Sequence, residues 1–275
     1  LGLARQSHGD HHPLPHPSAE LMGIVLEPVL RGWNFHLPHD LQGFGKGLVS
    51  LYSQPICQSE WRYAVGKDIL FCIMAHPNGL SRADICLIFW PDHHPRRAHG
   101  TLRNTLYYLR QLLGQDVLEE RNDLLSFNYS LAYSYDVDEF EALTSRARLF
   151  PAEGKADLEM AVRLYQNHFL VNLNYDWVIP IRDRLRQNYL ITILDLGFQA
   201  LQDRQFDAGL EYCWMALAIE PWLESVHRLA MQLYAAMGQR VDAIRQYQRC
   251  KESLSEYLQA QPDPETDRLY HWLKR

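Results

Sequence analysis

The stretch from Ser81 to Phe127 is punctuated so closely that few folds can accept it. Ser81-Arg82-Ala83-Asp84 has the form of a helix start, with a hydroxyl at the N-cap and an acid three residues on. The helix it opens runs to about Trp90 and ends at Pro91. Another begins near Pro95, whose missing N–H is harmless in a first turn, and it stops at Gly114. Val117 to Arg121 and Leu124 to Phe127 are two short runs joined by Asn122-Asp123, a pair suited to a tight hairpin turn. Upstream, Val65, Ile69, Phe71, Cys72 and Ile73 predict a helix over Ala64 to His76, stopped by His76-Pro77-Asn78-Gly79. Leu48 to Ser53 alternates as a strand does, and Gln54-Pro55 reads as the turn after it, before a second short strand. Strands, three helices and then a hairpin make a winged helix-turn-helix.

From Asp136 onward the pattern is helical throughout. Segments near 137–150, 156–170, 177–204, 206–219, 222–237, 240–259 and 265–274 carry apolar spacing of three and four. Two stretches match at an offset of 35, pairing Ala200 with Ala235, Phe206 with Val241, Asp207 with Asp242 and Ala208 with Ala243. Helix pairs repeating at about 34 residues are the mark of tetratricopeptide-like stacking, although an unrelated helical bundle shares much of the pattern. Pro221 suits the break between such helices. Trp177, Trp214 and Trp222 read as core first and groove lining second. The expected fold class is therefore mainly α: a winged helix-turn-helix with a small sheet and a hairpin wing, then an all-helical repeat domain. The expected boundaries are 1–42 for a linker or the end of an upstream region, 43–135 for the winged helix and 136–275 for the repeats. Residues 1–20 interleave His8, His11, His12 and His16 with prolines and read as a linker without a preset metal site. Leu21 to Leu41, with Trp33 and Phe35, has ambiguous periodicity. The first residue, Leu1 in place of Met, suggests a piece of a longer chain.

Composition excludes several classes. The 275 residues are 47% hydrophobic, ample for a packed core and against general disorder. The longest greasy run, Leu190 to Leu196, carries Asp195 and falls far short of the ~20 residues a membrane helix needs. The expectation is a cytoplasmic protein with no membrane contact. Cys57, Cys72, Cys86, Cys213 and Cys250 lie far apart without a C-x-x-C pair, so neither a disulfide frame nor a zinc site is expected. Gly43-Phe44-Gly45-Lys46-Gly47 lacks the spacing and the following Ser/Thr of a phosphate loop and reads as a linker. With no catalytic motif either, an enzyme and a cofactor are not expected.

Charge is distributed unevenly. From Asp136 to Arg275 there are 16 basic and 21 acidic residues, a balance of -5, whereas Trp61 to Arg121 holds 8 basic and 6 acidic, a balance of +2. Arg96, Arg97, Arg103 and Arg110 follow one another with no acid between them. That run is a solvated helix face or a surface for a polyanion, and the context decides for the second. Leu102, Leu106, Leu109 and Leu113, joined by Ala98, share one face of the third helix and form its core stripe. The other face suits a DNA major groove: arginine bonds two guanine acceptors, asparagine matches adenine, and a threonine methyl touches thymine. Arg97, Thr101 and Asn104 are the expected base readers, and Arg96, Arg103, Tyr107, Tyr108 and Arg110 the expected phosphate contacts. At the hairpin tip Arg121 is placed to reach a minor groove, if Glu119 and Glu120 turn away. Gly100, poor helix material, needs either a close DNA backbone or a local fault as its reason.

These residues form one familiar block. Trp61 to Phe71, Leu80 to Asp84, Phe89-Trp90-Pro91-Asp92, Arg97-Ala98, Thr101 to Leu106 and Leu109 to Gly114 together resemble the DNA-binding domain of SARP-type antibiotic regulatory proteins. Asp136 to Phe140, Tyr165 to Trp177, Glu220 to Glu224 and Ala243 to Tyr247 resemble that family's bacterial transcriptional activator domain. The resemblance covers roughly Leu48 to Arg275. It implies a transcriptional activator that binds double-stranded DNA at promoter repeats and recruits RNA polymerase; since one small winged helix buries modest DNA surface, self-association of two copies on the repeats is also expected. It also implies that the loop Pro91-Asp92-His93-His94-Pro95 contacts the polymerase; His93 and His94 themselves read as plain exposed loop residues before specific contacts. The competing class is a scaffold whose repeats bind protein partners while the winged helix no longer binds DNA.

Overall fold

A computed structural model of the chain describes residues 39–275 apart from residue 152. The histidines of the first twenty residues, and Trp33 and Phe35, lie outside the described residues. In chain order the elements are β1 (His39–Gln42), β2 (Leu48–Leu51), β3 (Gln54–Pro55), α1 (Val65–Met74), β4 (Leu80–Ser81), α2 (Arg82–Phe89) and α3 (Pro95–Leu113). Then come β5 (Leu118–Arg121), β6 (Leu124–Phe127), β7 (Tyr133–Tyr135), α4 (Asp136–Leu149) and α5 (Lys155–Leu164). The chain ends with α6 (Val178–Gln202), α7 (Phe206–Ile219), α8 (Glu224–Ala236), α9 (Arg240–Ser253) and α10 (Pro264–Leu273). The described residues divide into two compact units, one of residues 51–132 and the other of 39–50 with 133–275.

The first unit is a winged helix-turn-helix. Ser81 caps α2 as its position implies, accepting the Asp84 N–H at 3.1 Å and donating its hydroxyl to the Asp84 carboxylate at 2.6 Å. A three-stranded sheet in the order β4-β6-β5 closes the unit, with Ser81 opposite Leu124 and Arg121 opposite Leu124 from the other side. Asn122 and Asp123 make the wing turn with φ of 51° and 62°, a conformation that short polar side chains tolerate. Phe71, Ile69, Leu70, Ile73, Ile85, Leu102, Leu106, Leu109 and Phe127 form a core excluded from water. One strand differs from its reading. Tyr52 and Ser53 carry the positive φ of the turn, and Gln54–Pro55 is itself the short strand.

The second unit begins before the winged helix and resumes after it. β1 pairs in parallel with β7, His39 opposite Tyr133 and Leu41 opposite Tyr135. The segment Gly43-Phe44-Gly45, read as linker, is docked instead. Its Gly43 and Phe44 N–H groups donate to the Asp136 carboxylate at 2.6 and 3.0 Å. Phe44 is buried, with its ring edge-on to Phe140 at 5.3 Å and tilted on Tyr165 at 4.7 Å. A Cβ at Gly43 would stand 2.8 Å from Val137 and 2.9 Å from Phe169, so only glycine fits there. The boundary at 43 therefore falls inside this unit, because Leu41, Phe44 and Val49 find their apolar cover in it. The expected helix over 156–170 stops at Leu164. Past it, Phe169 forms a bridge with Phe44, and Arg182 donates to the carbonyls of Phe169, Leu170 and Leu173, a fold-back that a continuing helix forbids.

Burial pushes the Asp136 carboxyl up from 3.8 to about 7, against the backbone donors that favour its charge. Asp138, half-buried and accepting the Tyr133 hydroxyl at 2.9 Å, rises to about 6 through desolvation. In both, the folded state holds its proton more tightly than the unfolded chain. The resulting stability is complete below about pH 4 and is lost as the pH climbs through the folded values. Thermal midpoints are expected to fall between about pH 4 and 7, and Asp136→Asn to flatten that slope. An unchanged slope in the variant would place the titration elsewhere.

The helical repeat has its own register. α7 and α9 start at Phe206 and Arg240, and Gln205 and Gln239 cap them with the same backbone angles, φ near -90° and ψ of 61°. The bonds Gln205 N–H to Ala200 and Gln239 N–H to Tyr234 also correspond. The structural period is thus 34, one residue less than the offset at which side chains match. At that period the buried pair is Gly209 and Ala243, whose small side chains let successive helices approach: a Cβ at Gly209 would lie 2.8 Å from Leu233. Trp177, Trp214 and Trp222 do not lie in the core. Trp214 is 50% exposed, and Trp177 and Trp222 are half-buried. No described helix is long and apolar enough to cross a membrane.

Candidate nucleic-acid interface

α3 carries the candidate surface. Pro95 occupies its first turn, and the His94 ring caps it by accepting the Arg96 N–H at 3.3 Å. The ring of His94 thus has a structural task, while Asp92 and His93 stand exposed in the same loop. Ala98, Leu102, Thr105, Leu106, Leu109 and Leu113 are buried, which fixes the rotation of the helix. The opposite face presents Arg96, Arg97, Arg103, Asn104, Tyr107 and Gln111 to solvent. The side chains of Arg96, Arg97, Arg103 and Asn104 make no hydrogen bond or ion pair among the described residues, an uncommitted set of donors.

The remaining assigned residues are more engaged. Thr101 is half-buried, and its hydroxyl donates to the Arg97 carbonyl at 3.0 Å, which leaves its methyl for apolar contact. Arg110 is half-buried and donates to the Leu118 carbonyl at 3.4 Å, tying the end of α3 to β5. Tyr108 is half-buried between Tyr63 and Tyr107, at ring distances of 5.7 and 5.2 Å. Arg121 extends from the wing tip, 79% exposed, and pairs with Glu119 at 2.7 Å. Glu120 turns away to Arg82, which grips both its oxygens at 3.0 and 2.7 Å. That contact holds the Glu120 carboxyl below its ordinary range and clips the start of α2 to the wing.

Two residues escaped the sequence reading. Arg62 stacks over the Tyr108 ring at 5.3 Å, which places a further guanidinium beside α3. Its only local signal was the Trp-Arg-Tyr run before α1. Arg82 is committed to Glu120, 38 residues away, a pairing no local pattern announces.

Comparisons with known proteins bear on the family and the fold. The profile of the bacterial transcriptional activator domain matches residues 135–274. The chain belongs to the bacterial transcriptional activator domain family. Its relatives include the transcriptional regulatory protein MoaR1 of Mycobacterium tuberculosis (strain ATCC 25618 / H37Rv), 25% identical over 222 residues, 76% of this chain and 71% of that one. The MoaR1 protein of Mycobacterium bovis (strain BCG / Pasteur 1173P2) matches to the same extent. Among solved structures, Mycobacterium tuberculosis EmbR in complex with a low affinity phosphopeptide superposes with a TM-score of 0.74 at 17% identity. That match covers 86% of this chain but 65% of the EmbR chain, so this chain spans less than two thirds of it. The activator-domain family is the one implied by the resemblance to SARP-type regulators, and the EmbR fold carries the same architecture.

Gly100 separates two explanations within this family member. A Cβ there meets nothing within 4 Å, so the protein itself does not require glycine. Gly100→Ala is expected to stabilise the first unit by about 0.8–1 kcal/mol, seen as a raised Tm. If a DNA backbone approaches that spot, the same variant binds DNA more weakly. If binding is unchanged, Gly100 is a tolerated fault in a surface helix.

Proposed function

We propose that this chain is a sequence-specific DNA-binding transcriptional activator that docks α3 in the major groove of promoter repeats and recruits RNA polymerase. The observation that carries this reading is the row of exposed arginines and Asn104 on α3, without partners among the described residues and backed by a buried leucine stripe. Arg97, Thr101 and Asn104 read bases. Arg96, Arg103, Tyr107, Tyr108, Arg110 and Arg121 hold phosphates, joined by Arg62. The loop carrying Asp92 and His93 meets the polymerase, with His94 shaping it. The helical unit, with its balance of -5, works through protein contacts and holds two copies side by side on DNA.

Fluorescence anisotropy with DNA flanking the protein's own coding region tests the proposal. Binding is expected to weaken steeply as salt rises and to favour one sequence over scrambled DNA. A scaffold without DNA binding would show no change at any salt concentration.

A further inference from the structure

The helical unit carries an open cleft of about 410 Å³ between α7 and α9, the second helices of successive hairpins. Ligand pockets commonly run from about 300 to 1,000 Å³, so the space admits a side chain with part of its backbone. One wall is Trp214, whose indole is half exposed and stacks on no ring among the described residues. The other wall is the C-terminal end of α9, from which Arg249, Glu252 and Glu256 reach the cleft without a partner among the described residues. Glu252 and Glu256 stand one turn apart, where α9 passes into a π-helical turn, Leu254–Leu258. Turns of that kind recur at functional sites.

The floor is polar and fixed. The buried ring of His227 donates from Nε2 to the Pro221 carbonyl at 2.8 Å, since a carbonyl only accepts. Its Nδ1 is then an acceptor and takes the Gln246 amide N–H at 2.8 Å. Burial holds His227 below its ordinary pKa, which keeps the ring neutral and Nδ1 free to accept. Gln246, 2% exposed and lining the cleft, is thereby oriented with its amide nitrogen on His227 and its oxygen left for an incoming donor.

An aromatic face, two carboxylates and an amide oxygen around one opening are complementary to a cation. A lysine or arginine side chain gains cation–π contact with the indole and charge-assisted bonds to the carboxylates. Arg249 offsets one of the two negative charges and is placed to meet a backbone carbonyl of the same segment. Phosphate is opposed by both glutamates, so the cleft does not extend the DNA-binding face. We infer that this cleft is a docking site for a lysine- or arginine-bearing polypeptide segment of a partner protein. The inference goes beyond the DNA-binding reading and does not depend on it.

The test uses the full chain without DNA and follows the indole N–H resonance of Trp214, assigned by its disappearance in Trp214→Phe. The probes are three blocked pentapeptides that share a central leucine and carry two lysines, two glutamines or two glutamates around it. The lysine peptide is expected to shift that resonance saturably, with the other two at least about tenfold weaker. Glu252→Gln with Glu256→Gln is expected to weaken the lysine peptide about tenfold at an unchanged Tm, since both residues are exposed. Equal binding of all three peptides, no binding of the lysine peptide, or binding untouched by the double variant would overturn the inference. So would a Trp214 shift produced by duplex DNA in place of peptide. Failure of the chain to bind promoter DNA would leave these readouts unaffected and would bear on the DNA-binding reading alone.

Discussion

Replacing Arg96 and Arg103 together with alanine is expected to lower DNA affinity about thirtyfold near physiological salt. Each neutralised phosphate adds about 0.9 to the slope of log affinity against log salt, which near 0.15 M is roughly 0.7 of a decade per contact. Two contacts therefore account for about one and a half decades, and the slope itself should flatten by nearly 2. Both side chains are exposed and make no bond among the described residues, so the Tm should not move. Asn104→Ala should behave differently, costing ~1–3 kcal/mol at its matching base pair and little on other sequences. Anisotropy titrations at four salt concentrations check both. A double variant with the parental salt slope would show that α3 does not face phosphate.

A fragment of residues 51–132 is expected to keep weak, salt-sensitive DNA binding and to lose activation of a reporter promoter entirely. Its core is self-contained, with Ile69, Phe71, Ile85, Leu102, Leu106 and Phe127 all within the fragment. A chain cut after residue 136 should fare worse than this shorter piece. It would retain Leu41 and Phe44 while removing Phe140 and Tyr165, against which Phe44 packs. Exposed aromatic surface of that kind favours aggregation. Full activation by the 51–132 fragment would make the helical unit dispensable.

Much of this architecture was legible because it rests on local chemistry. Pro95 and Gly114 bound α3, Asn122-Asp123 turns the wing, and the 206–219 helix has the limits its apolar spacing predicts. The leucine stripe of α3 is buried throughout. What escaped depends on partners distant in sequence. Gly43 and Phe44 become structural only because Asp136, more than ninety residues on, accepts their N–H groups. The 35-residue side-chain match is one off the backbone period because exposed positions such as Val241 and Asp207 are free to resemble one another by chance. Trp214 read as core because its neighbours are apolar, yet the helix turns it outward beside carboxylates that lie 38 and 42 positions later. In the candidate interface, the arginine run was visible and the clip between Arg82 and Glu120 was not.

The parallel pairing of β1 with β7 makes the winged helix an insertion, with both of its ends rooted in one sheet. β2 and β7 flank β1 there, so the points where the chain leaves and returns are only about 10 Å apart across the strands. The winged-helix unit is therefore joined to the chain like a bead on a closed loop and not like a flag on a single cord. A protease that nicks one junction severs the chain without releasing either piece, because the sheet still joins them. The same closeness makes the unit removable: a few residues bridging Ser50 to Tyr133 would close the helical unit on itself. For a molecule of this design, the winged helix is one replaceable cassette between two posts of the same sheet.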